Sequence, residues 1–381
     1  MRFDTRLIHA GQPADPLTGA VNAPIYLSST FRQRAPNRNQ GYVYSRSGNP
    51  TRHVLEAAIA AAESGQAGLA FSSGLGALTT LLEAFPSGSR IVSVDDLYGG
   101  TWRLFEHHRK QFGVRIDYVD MTDPDRVARA LEDAPAQLVY LETPTNPLLR
   151  LVDLRAVVRV AHRAGAVVAV DNTFASPANQ RPIEFGADIV LHSTTKYLGG
   201  HSDIIGGALV FRSAEEAARY AWLQNAVGAV PSPFDCFLVL RGLHTLGVRM
   251  RAHEASARAV AEVAERSRKV RAVYFPGRPS HAQYALARRQ MDGFGGIVSL
   301  ELTGGRRAAL RFLRGLDVFT LAESLGGVES LADHPASMTH ASVPRREREA
   351  HGVTDGLVRL SCGIEDPADL ADDVRRALGR V

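Results

Sequence analysis

The sequence predicts an α/β protein with a mostly parallel sheet and a second, smaller α+β region. Between about residues 51 and 215, short apolar runs alternate with amphipathic segments, which is the pattern of a parallel sheet covered by helices. A length of 381 residues exceeds one small core and accommodates two domains. We therefore expect an irregular N-terminal arm over residues 1–50, a large domain over 51–240 and a small domain over 241–381.

Short apolar runs mark the individual strands of the predicted sheet. The expected strands of the large domain are residues 68–71, 90–94, 137–141, 166–170, 188–192 and 207–211. Between them, residues 151–165 have the apolar spacing of a helix packed on the sheet. A long helical pattern from about 235 to 270 leads to the second region, where residues 296–302 and 356–361 read as strands.

Polar and aromatic residues follow the carboxyl ends of the first five predicted strands. In chain order they are Ser72 to Gly74, Tyr98, Asn146, Asp171, and Ser193 to Lys196. Ligands of open α/β sheets bind outside the carboxyl ends of the strands, so we expect these residues to meet in one site. The turn at Gly74 opens a helix whose free N–H groups can bind an anion, although an ordinary strand-to-helix turn has the same pattern.

Lysine usage singles out Lys196. Only three of the 44 basic residues are lysines, and the other two, Lys110 and Lys269, lie in polar or helical runs typical of a surface. A lysine can form an imine once its pKa is lowered, whereas arginine stays charged. A carboxylate at Asp171 can pair with a pyridine nitrogen, and Tyr98 can stack on a flat ring. Together these residues predict pyridoxal phosphate (PLP), held as a Schiff base on Lys196.

Each of these signals also has a structural interpretation. Asp171 can cap the next segment, and Tyr98 can fill a loop. Arg359 lies in an otherwise apolar run, where a buried guanidinium needs an anion, either a structural acid or a substrate carboxylate. His192 and His201 are interpreted as hydrogen-bonded polar groups rather than ligands, because no spacing typical of a metal site occurs. We expect no metal.

Composition argues against several other classes of protein. The net charge is +4, and the basic residues are spread along the chain without a nucleic-acid-binding motif. No apolar run approaches the length of a membrane span, and the first residues lack the apolar core of a signal peptide. Two cysteines are too few for a disulfide framework. A cytoplasmic protein that binds neither nucleic acid nor membrane is expected.

Ten segments resemble the PLP enzymes of Cys/Met metabolism, and they cover nearly the whole chain. They are YSRSGNPTR (44–52), AFSSGLGA (70–77), DDLYGGTWRLF (95–105), ETPTNP (142–147), VDNTFASP (170–177), HSTTKYLGGHSD (192–203), LQNAVGAVPSPFDCFLVLRGLHTL (223–246), LAESLGG (321–327), MTHASVP (338–344) and RLSCGIED (359–366). Within the family the sequence is most similar to the γ-lyases of cystathionine and next to the γ-synthases. The resemblance implies PLP fold type I, which is aspartate-aminotransferase-like with a seven-stranded sheet, and a homotetramer of active dimers.

The resemblance also implies a role for each matching residue. Lys196 would carry the cofactor and act as the catalytic base, Asp171 would pair with the pyridine nitrogen, Tyr98 would stack on the ring and take part in catalysis, and Asn146 would bond the phenolic oxygen. The phosphate would be held by Gly74, Leu75, Ser193 and Thr195, with Tyr44 and Arg46 of the neighbouring subunit. Arg359 would bind the substrate α-carboxylate with help from the backbone around Ser324.

Five further positions bear on the substrate. Arg103 and Asn225 match positions that face the distal end of cystathionine, and Glu323 matches a glutamate associated with γ-carbon chemistry. Gly100 stands where methionine γ-lyases have a reactive cysteine. Val43 replaces an acidic residue that often precedes the tyrosine of the arm. These matches favour cystathionine over methionine as the substrate.

The implied reaction is γ-elimination of L-cystathionine to L-cysteine, 2-oxobutanoate and ammonia. The alternative is γ-replacement, in which cysteine displaces the acyl group of O-succinyl- or O-acetylhomoserine. A hypothesis of another class is a catalytically idle PLP-binding regulator. It is disfavoured because every expected catalytic residue is present and no DNA-binding segment is recognised.

Overall fold

The computed structural model describes residues 1–381 and contains two β-sheets surrounded by helices. The α-helices are α1 (Phe3–His9), α2 (Pro50–Ala62), α3 (Gly74–Leu82), α4 (Gly99–Phe112), α5 (Pro124–Asp133), α6 (Leu154–Arg163), α7 (Ser176–Asn179), α8 (Ala214–Val227), α9 (Pro233–His244), α10 (Leu246–Glu265), α11 (Tyr284–Gln290), α12 (Gly305–Arg314), α13 (Arg345–Ala350) and α14 (Pro367–Gly379). The strands are β1 (Ala67–Phe71), β2 (Arg90–Val94), β3 (Arg115–Val119), β4 (Leu138–Glu142), β5 (Val167–Asp171), β6 (Ile189–Ser193), β7 (Gly207–Phe211), β8 (Val270–Tyr274), β9 (Ile297–Leu302), β10 (Thr320–Leu321), β11 (Leu331–Asp333) and β12 (Leu357–Ser361).

The large sheet has seven strands in the order β1-β7-β6-β5-β4-β2-β3. All strands are parallel except β7, which is antiparallel to both of its neighbours. The prediction of a mostly parallel seven-stranded α/β sheet is confirmed. The six strands read from the sequence lie within one residue of their observed positions at each end.

The sequence reading missed β3, which lies at one edge of the large sheet. This strand pairs only with β2, and its sequence RIDYV mixes charged and apolar residues. Asp117 of β3 accepts a 2.6 Å hydrogen bond from Nε of Arg90 on β2. An edge strand has one open side that can hold such charges, so its apolar pattern is weaker than that of a central strand.

Apolar side chains cover both faces of the large sheet. Phe71, Tyr140 and Leu209 pack on the face that meets α3, whereas Val139 and Val168 pack on the opposite face with α5 and α6. Burial on both faces explains why these strands read as continuous apolar runs rather than as alternating ones. The polar residues predicted for the site lie instead at the carboxyl ends of the parallel strands.

The small domain is built on a five-stranded sheet in the order β10-β11-β12-β9-β8. Its central strands β9 and β12 are the two strands predicted for this region, and they pair in antiparallel fashion. The helices α10, α12 and α14 pack on this sheet through buried residues such as Val260, Phe312 and Val374. The short strands β10 and β11 and the edge strand β8 were not predicted.

The long helical pattern predicted over residues 235–270 is two helices rather than one. Thr245 separates α9 from α10, and strand β8 begins at Val270. Helix α10 belongs to both domains, because Met250 packs with the large domain while Ala257 packs with the small one. One helix therefore contributes to both apolar clusters, and the domain boundary at residue 240 stays a prediction.

The N-terminal arm is more ordered than its sequence indicated. Residues Phe3–His9 form α1, whose Leu7 is buried against the large-domain core. The side chain of Asn49 caps α2 by accepting a 2.9 Å hydrogen bond from the N–H of Thr51. Much of the intervening segment is exposed, including Leu17 and Leu27. None of the helices in the chain combines the length and apolar character needed to cross a membrane.

Candidate active site

A cavity of about 380 Å³ lies at the carboxyl ends of the large-sheet strands, facing the small domain. Eleven of the residues predicted for the site line it: Gly74, Leu75, Tyr98, Asn146, Asp171, Ser193, Thr195, Lys196, Glu323, Ser324 and Arg359. A cavity of about 1040 Å³ lies along the N-terminal arm but is lined by none of these eleven residues. The smaller cavity is therefore the candidate active site.

The turn between β1 and α3 forms one end of the cavity. Ser73 caps α3, and its Oγ accepts a 2.9 Å hydrogen bond from the N–H of Gly76. This cap leaves the N–H groups of Gly74 and Leu75, both in the cavity wall, without an intrahelical partner. A β-carbon at Gly74 would lie 3.0 Å from Cβ of Ser193, so glycine lets the turn approach β6 closely. This end can bind an anion such as a phosphate.

Asp171 ends strand β5 and supplies a partly buried carboxyl group to the cavity. It accepts hydrogen bonds from the Thr173 N–H at 2.9 Å and from the Tyr140 hydroxyl at 3.4 Å. No basic side chain forms an ion pair with Asp171. The nearby His192 instead contacts Glu63, with 2.6 Å between His192 Nε2 and Glu63 Oε1. Burial raises the pKa of Asp171 above its ordinary value. A protonated ring nitrogen would supply the missing positive partner.

Lys196 lies just after β6, between the anion-binding turn and the small domain. Its Nζ donates a 2.7 Å hydrogen bond to Oγ of Ser324. Burial lowers the pKa of Lys196 to about 8, the charge of Arg359 acts in the same direction, and Glu323 opposes both. Ser324 has a φ of 100°, a left-handed conformation that is costly for a residue with a side chain. An amine with this pKa can accept and return a proton near neutral pH.

Arg359 on β12 is buried and joins the two domains at the cavity. It forms an ion pair with the buried Asp333 and donates 3.0 Å hydrogen bonds to Oδ1 of Asn146 and to the carbonyl of Ser324. The structural acid that the sequence left open is therefore Asp333. The two hydrogen bonds come from Nη1 and Nη2, the ion pair also lies at Nη2, and the Nε–H is buried without a partner. The second N–H of Nη1 is therefore the donor left to bind a carboxylate.

Four residues predicted for the site lie outside the cavity wall of their own chain. Arg46 donates hydrogen bonds to the carbonyl (2.6 Å) and to Oδ1 (2.8 Å) of Asn225, and its guanidinium lies 5.6 Å from the ring centre of Tyr44. Arg103 lies on the exposed side of α4, near enough to Tyr98 for its charge to act on the phenol. The chain therefore groups Tyr44, Arg46 and Asn225 at its surface.

Several residues of the cavity were not singled out from the sequence. Glu142, Tyr140, Thr173 and Thr339 line it, and Asp333 lies directly behind Arg359. Glu142 had a readable signal, since it is an acid at the end of the apolar strand β4. Asp333 and Thr339 had none, because only the folding of the small domain brings them to the large sheet.

The donor set fits pyridoxal phosphate. The cavity offers backbone N–H groups for a phosphate, the carboxyl group of Asp171 without an ion-pair partner for a ring nitrogen, and an amine between them for the aldehyde carbon. Asn146 adds an amide whose Oδ1 is already held by Arg359, which leaves its NH₂ group to donate to a ring oxygen. Each polar part of the cofactor thus has a partner of the right chemistry.

Comparisons with known proteins agree with this fit. Residues 4–379 match the family model described as "Cys/Met metabolism PLP-dependent enzyme". The chain is 51% identical to a cystathionine beta-lyase of Coxiella burnetii, covering 99% of this chain and 97% of that protein. It is 49% identical to a cystathionine gamma-lyase of Dictyostelium discoideum, covering 100% and 98%. A cystathionine gamma synthase structure from Xanthomonas oryzae pv. oryzae superposes with a TM-score of 0.97 at 49% identity, covering 100% and 98%.

Proposed function

This chain belongs to the Cys/Met metabolism PLP-dependent enzymes, with the fold type I architecture, and on that premise we propose that it cleaves L-cystathionine by γ-elimination. The products would be L-cysteine, 2-oxobutanoate and ammonia, with water consumed. The observation that carries the proposal is the position of Lys196, whose amine is held by Ser324 in a cavity that Glu323 also lines. The relatives named above include a cystathionine beta-lyase, a gamma-lyase and a gamma synthase, and γ-elimination is the reaction proposed for this chain.

The proposed chemistry divides between the cofactor and the protein. When bound, pyridoxal phosphate withdraws electrons from the α-carbon of the amino acid, so that a proton can leave that carbon. We propose that Nζ of Lys196 takes this proton, and that the same amine moves a proton at the β-carbon before the γ-thiolate leaves. The hydrogen bond to Ser324 holds the amine on one side of the cavity, and a pKa of about 8 suits proton transfer in both directions.

We propose that the substrate α-carboxylate binds to Arg359. Its guanidinium lines the cavity, and the second N–H of Nη1 has no protein partner, so it can donate a charge-assisted hydrogen bond to a carboxylate. The ion pair with Asp333 and the bond to Asn146 hold the guanidinium in place before substrate arrives. Glu323, together with Arg103 and Asn225, is proposed to act toward the distal end of the substrate.

Product analysis tests the proposed reaction. With purified enzyme and cystathionine, we expect cysteine and 2-oxobutanoate as the main products. In γ-replacement, cysteine binds as the second substrate. Val43 beside the arm tyrosine supplies no charge to the ammonium group of that cysteine, so cysteine should be held weakly and γ-replacement should be slower. We expect kcat/KM for cleavage to exceed that for synthesis from O-succinyl- or O-acetylhomoserine by roughly tenfold or more, measured on one preparation.

Two outcomes would contradict this assignment. Homocysteine and pyruvate as main products would mean β-elimination, the reaction named for the relative from Coxiella burnetii. A clear excess of cystathionine formation would favour the γ-synthase alternative. Both leave the cofactor assignment intact, because these reactions need the same lysine.

We also propose that the active unit is a dimer, assembled into a homotetramer, in which the arm of one subunit completes the site of its neighbour. Tyr44 and Arg46 are exposed and lie outside the cavity of their own chain, although their phenol and guanidinium groups are suited to a phosphate. Apolar side chains of the arm such as Leu17 and Val21 are largely exposed and would be covered by a second copy.

Mixed dimers test the shared site. Chains with Arg46→Ala and chains with Lys196→Ala should each be nearly inactive alone. Hybrids of the two contain one site in which both residues are wild type, so about half of the wild-type activity per hybrid dimer should return. The control mixes chains that carry both changes with chains that carry one of them. No site in that mixture has both residues wild type, so no activity should return. Hybrids that form and stay inactive would mean that Arg46 serves its own chain.

A further inference from the structure

Glu142 is a buried acid of the cavity without a partner of opposite charge. It ends β4 and is 5% exposed, and its register partner on the parallel strand β5 is Asp171. Burial and the neighbouring Asp171 raise the pKa of Glu142 well above its ordinary value. A second carboxylate beside the acid that faces the ring nitrogen is costly, and the proposed reaction gives it no task.

The contacts of Glu142 lead to Tyr98. Both carboxylate oxygens accept the N–H of Tyr98, Oε1 at 3.2 Å and Oε2 at 3.0 Å. Thr101, in the first turn of α4, lines the cavity together with Glu142. Tyr98 immediately precedes α4 and has no side-chain cap of its own. The carboxyl group of Glu142, at the end of β4, thus holds the start of α4.

The ring of Tyr98 depends on this main-chain anchor. Tyr98 is 38% exposed, so the core does not fix its ring. The ring lies against Gly100, where any β-carbon would overlap with it, and the carbonyl of Thr339 lies equally close to Gly99. The first turn of α4 is therefore confined on two sides by close contacts, while the N–H of Tyr98 is held by Glu142.

We propose that Glu142 is a positioning residue that fixes the main chain at Tyr98 and thereby holds the tyrosine ring over the cofactor. This inference rests on the proposed role of Tyr98 as the ring that stacks on pyridoxal phosphate. Glu142 acts through Tyr98 rather than on the cofactor or the substrate. The shorter of its two contacts with the Tyr98 N–H is at Oε2, and a glutamine amide oxygen can accept at that place.

A double-mutant cycle on the holoenzyme tests the proposal. The dissociation constant of pyridoxal phosphate is measured by equilibrium dialysis for wild type, Glu142→Ala, Tyr98→Ala and the double variant, with kcat/KM as a second readout. An aromatic stacking contact corresponds to roughly tenfold in affinity. We expect Glu142→Ala to weaken cofactor binding about tenfold in the wild-type background and less than about twofold when Tyr98 is already alanine. Glu142→Gln should restore binding to within about threefold of wild type.

The outcomes separate this inference from the proposed function. If Glu142→Ala costs the same in both backgrounds, or if Glu142→Gln is as impaired as Glu142→Ala, Glu142 acts through Asp171 or through general stability and the inference is wrong. If Tyr98→Ala leaves cofactor affinity unchanged, the stacking role of Tyr98 fails, and this inference fails with it. Because Glu142→Gln keeps the size and the acceptor of the side chain, it supplies the comparison even if Glu142→Ala folds poorly.

Discussion

Replacing Lys196 with alanine is expected to abolish turnover, with a loss of more than about 10⁴-fold in kcat. Lys196 is the only lysine in the cavity, and its Nζ is the group proposed both to attach the cofactor and to move protons on the substrate. The variant should also lose the visible absorbance of the lysine-bound cofactor. The cofactor should still bind, because the N–H groups of Gly74 and Leu75 and the acid Asp171 remain, but it should bind more weakly than to the wild-type protein.

Borohydride reduction followed by mass spectrometry measures the attachment directly. Wild-type protein should carry the reduced cofactor on the peptide that contains Lys196. Lys110→Ala and Lys269→Ala are matched controls, since both residues lie outside the cavity, and they should keep the modification and near-normal activity. A Lys196→Ala protein that still gives a reducible adduct would move the attachment site to one of the other two lysines.

Replacing Arg359 with alanine is expected to lower kcat/KM by about 10²-fold or more, because the substrate carboxylate loses its charged partner. The same change leaves Asp333 buried without its cation. Breaking a buried ion pair in this way costs on the order of 3–5 kcal/mol, so a lower Tm should accompany the kinetic loss. Steady-state kinetics and thermal unfolding on the same preparation measure both effects.

Asp333→Asn separates the two roles of Arg359. This variant removes the ion pair but leaves the guanidinium and the unpartnered N–H of its Nη1 in the cavity. We expect it to lower Tm while reducing kcat/KM much less than Arg359→Ala does. If Arg359→Ala lowered Tm strongly but left kinetics near normal, the arginine would serve the structure alone, as the partner of Asp333.

The part of the site carried by the large sheet could be predicted because each residue directly follows or ends a strand. Asp171 and Lys196 were found in this way, since parallel strands bring their carboxyl ends to one edge. The contacts that join residues far apart in the chain could not be predicted from the sequence. The Oγ of Ser324 that accepts from Lys196 is 128 residues away in the chain, and its left-handed φ has no signal in a serine. The apolar pattern of a strand likewise cannot reveal that Asp333 will pair with Arg359.

Two of the strands that the sequence did not predict were missed for the same physical reason. Strands β3 and β8 lie at sheet edges, where one side is open and charged residues are tolerated, so their apolar pattern is diluted. The break between α9 and α10 at Thr245 has no proline, and the nearby Gly242 and Gly247 lie within the two helices rather than at the break. Such a break depends on how α9 packs on the large domain and how α10 crosses to the small one.

The cavity is also the joint between two domains, and this has a consequence for cooperativity. The bonds from Lys196 to Ser324 and from Arg359 to Asn146 cross the gap between the sheets, and a bound cofactor lies among them. A ligand that binds only the native state stabilises it by about 2.7 kcal/mol at a concentration 100 times its dissociation constant. Because the site exists only when the domains are docked, that free energy opposes their separation as well as their unfolding. Cofactor binding thereby couples the hydrophobic cores of the two domains into one thermodynamic unit.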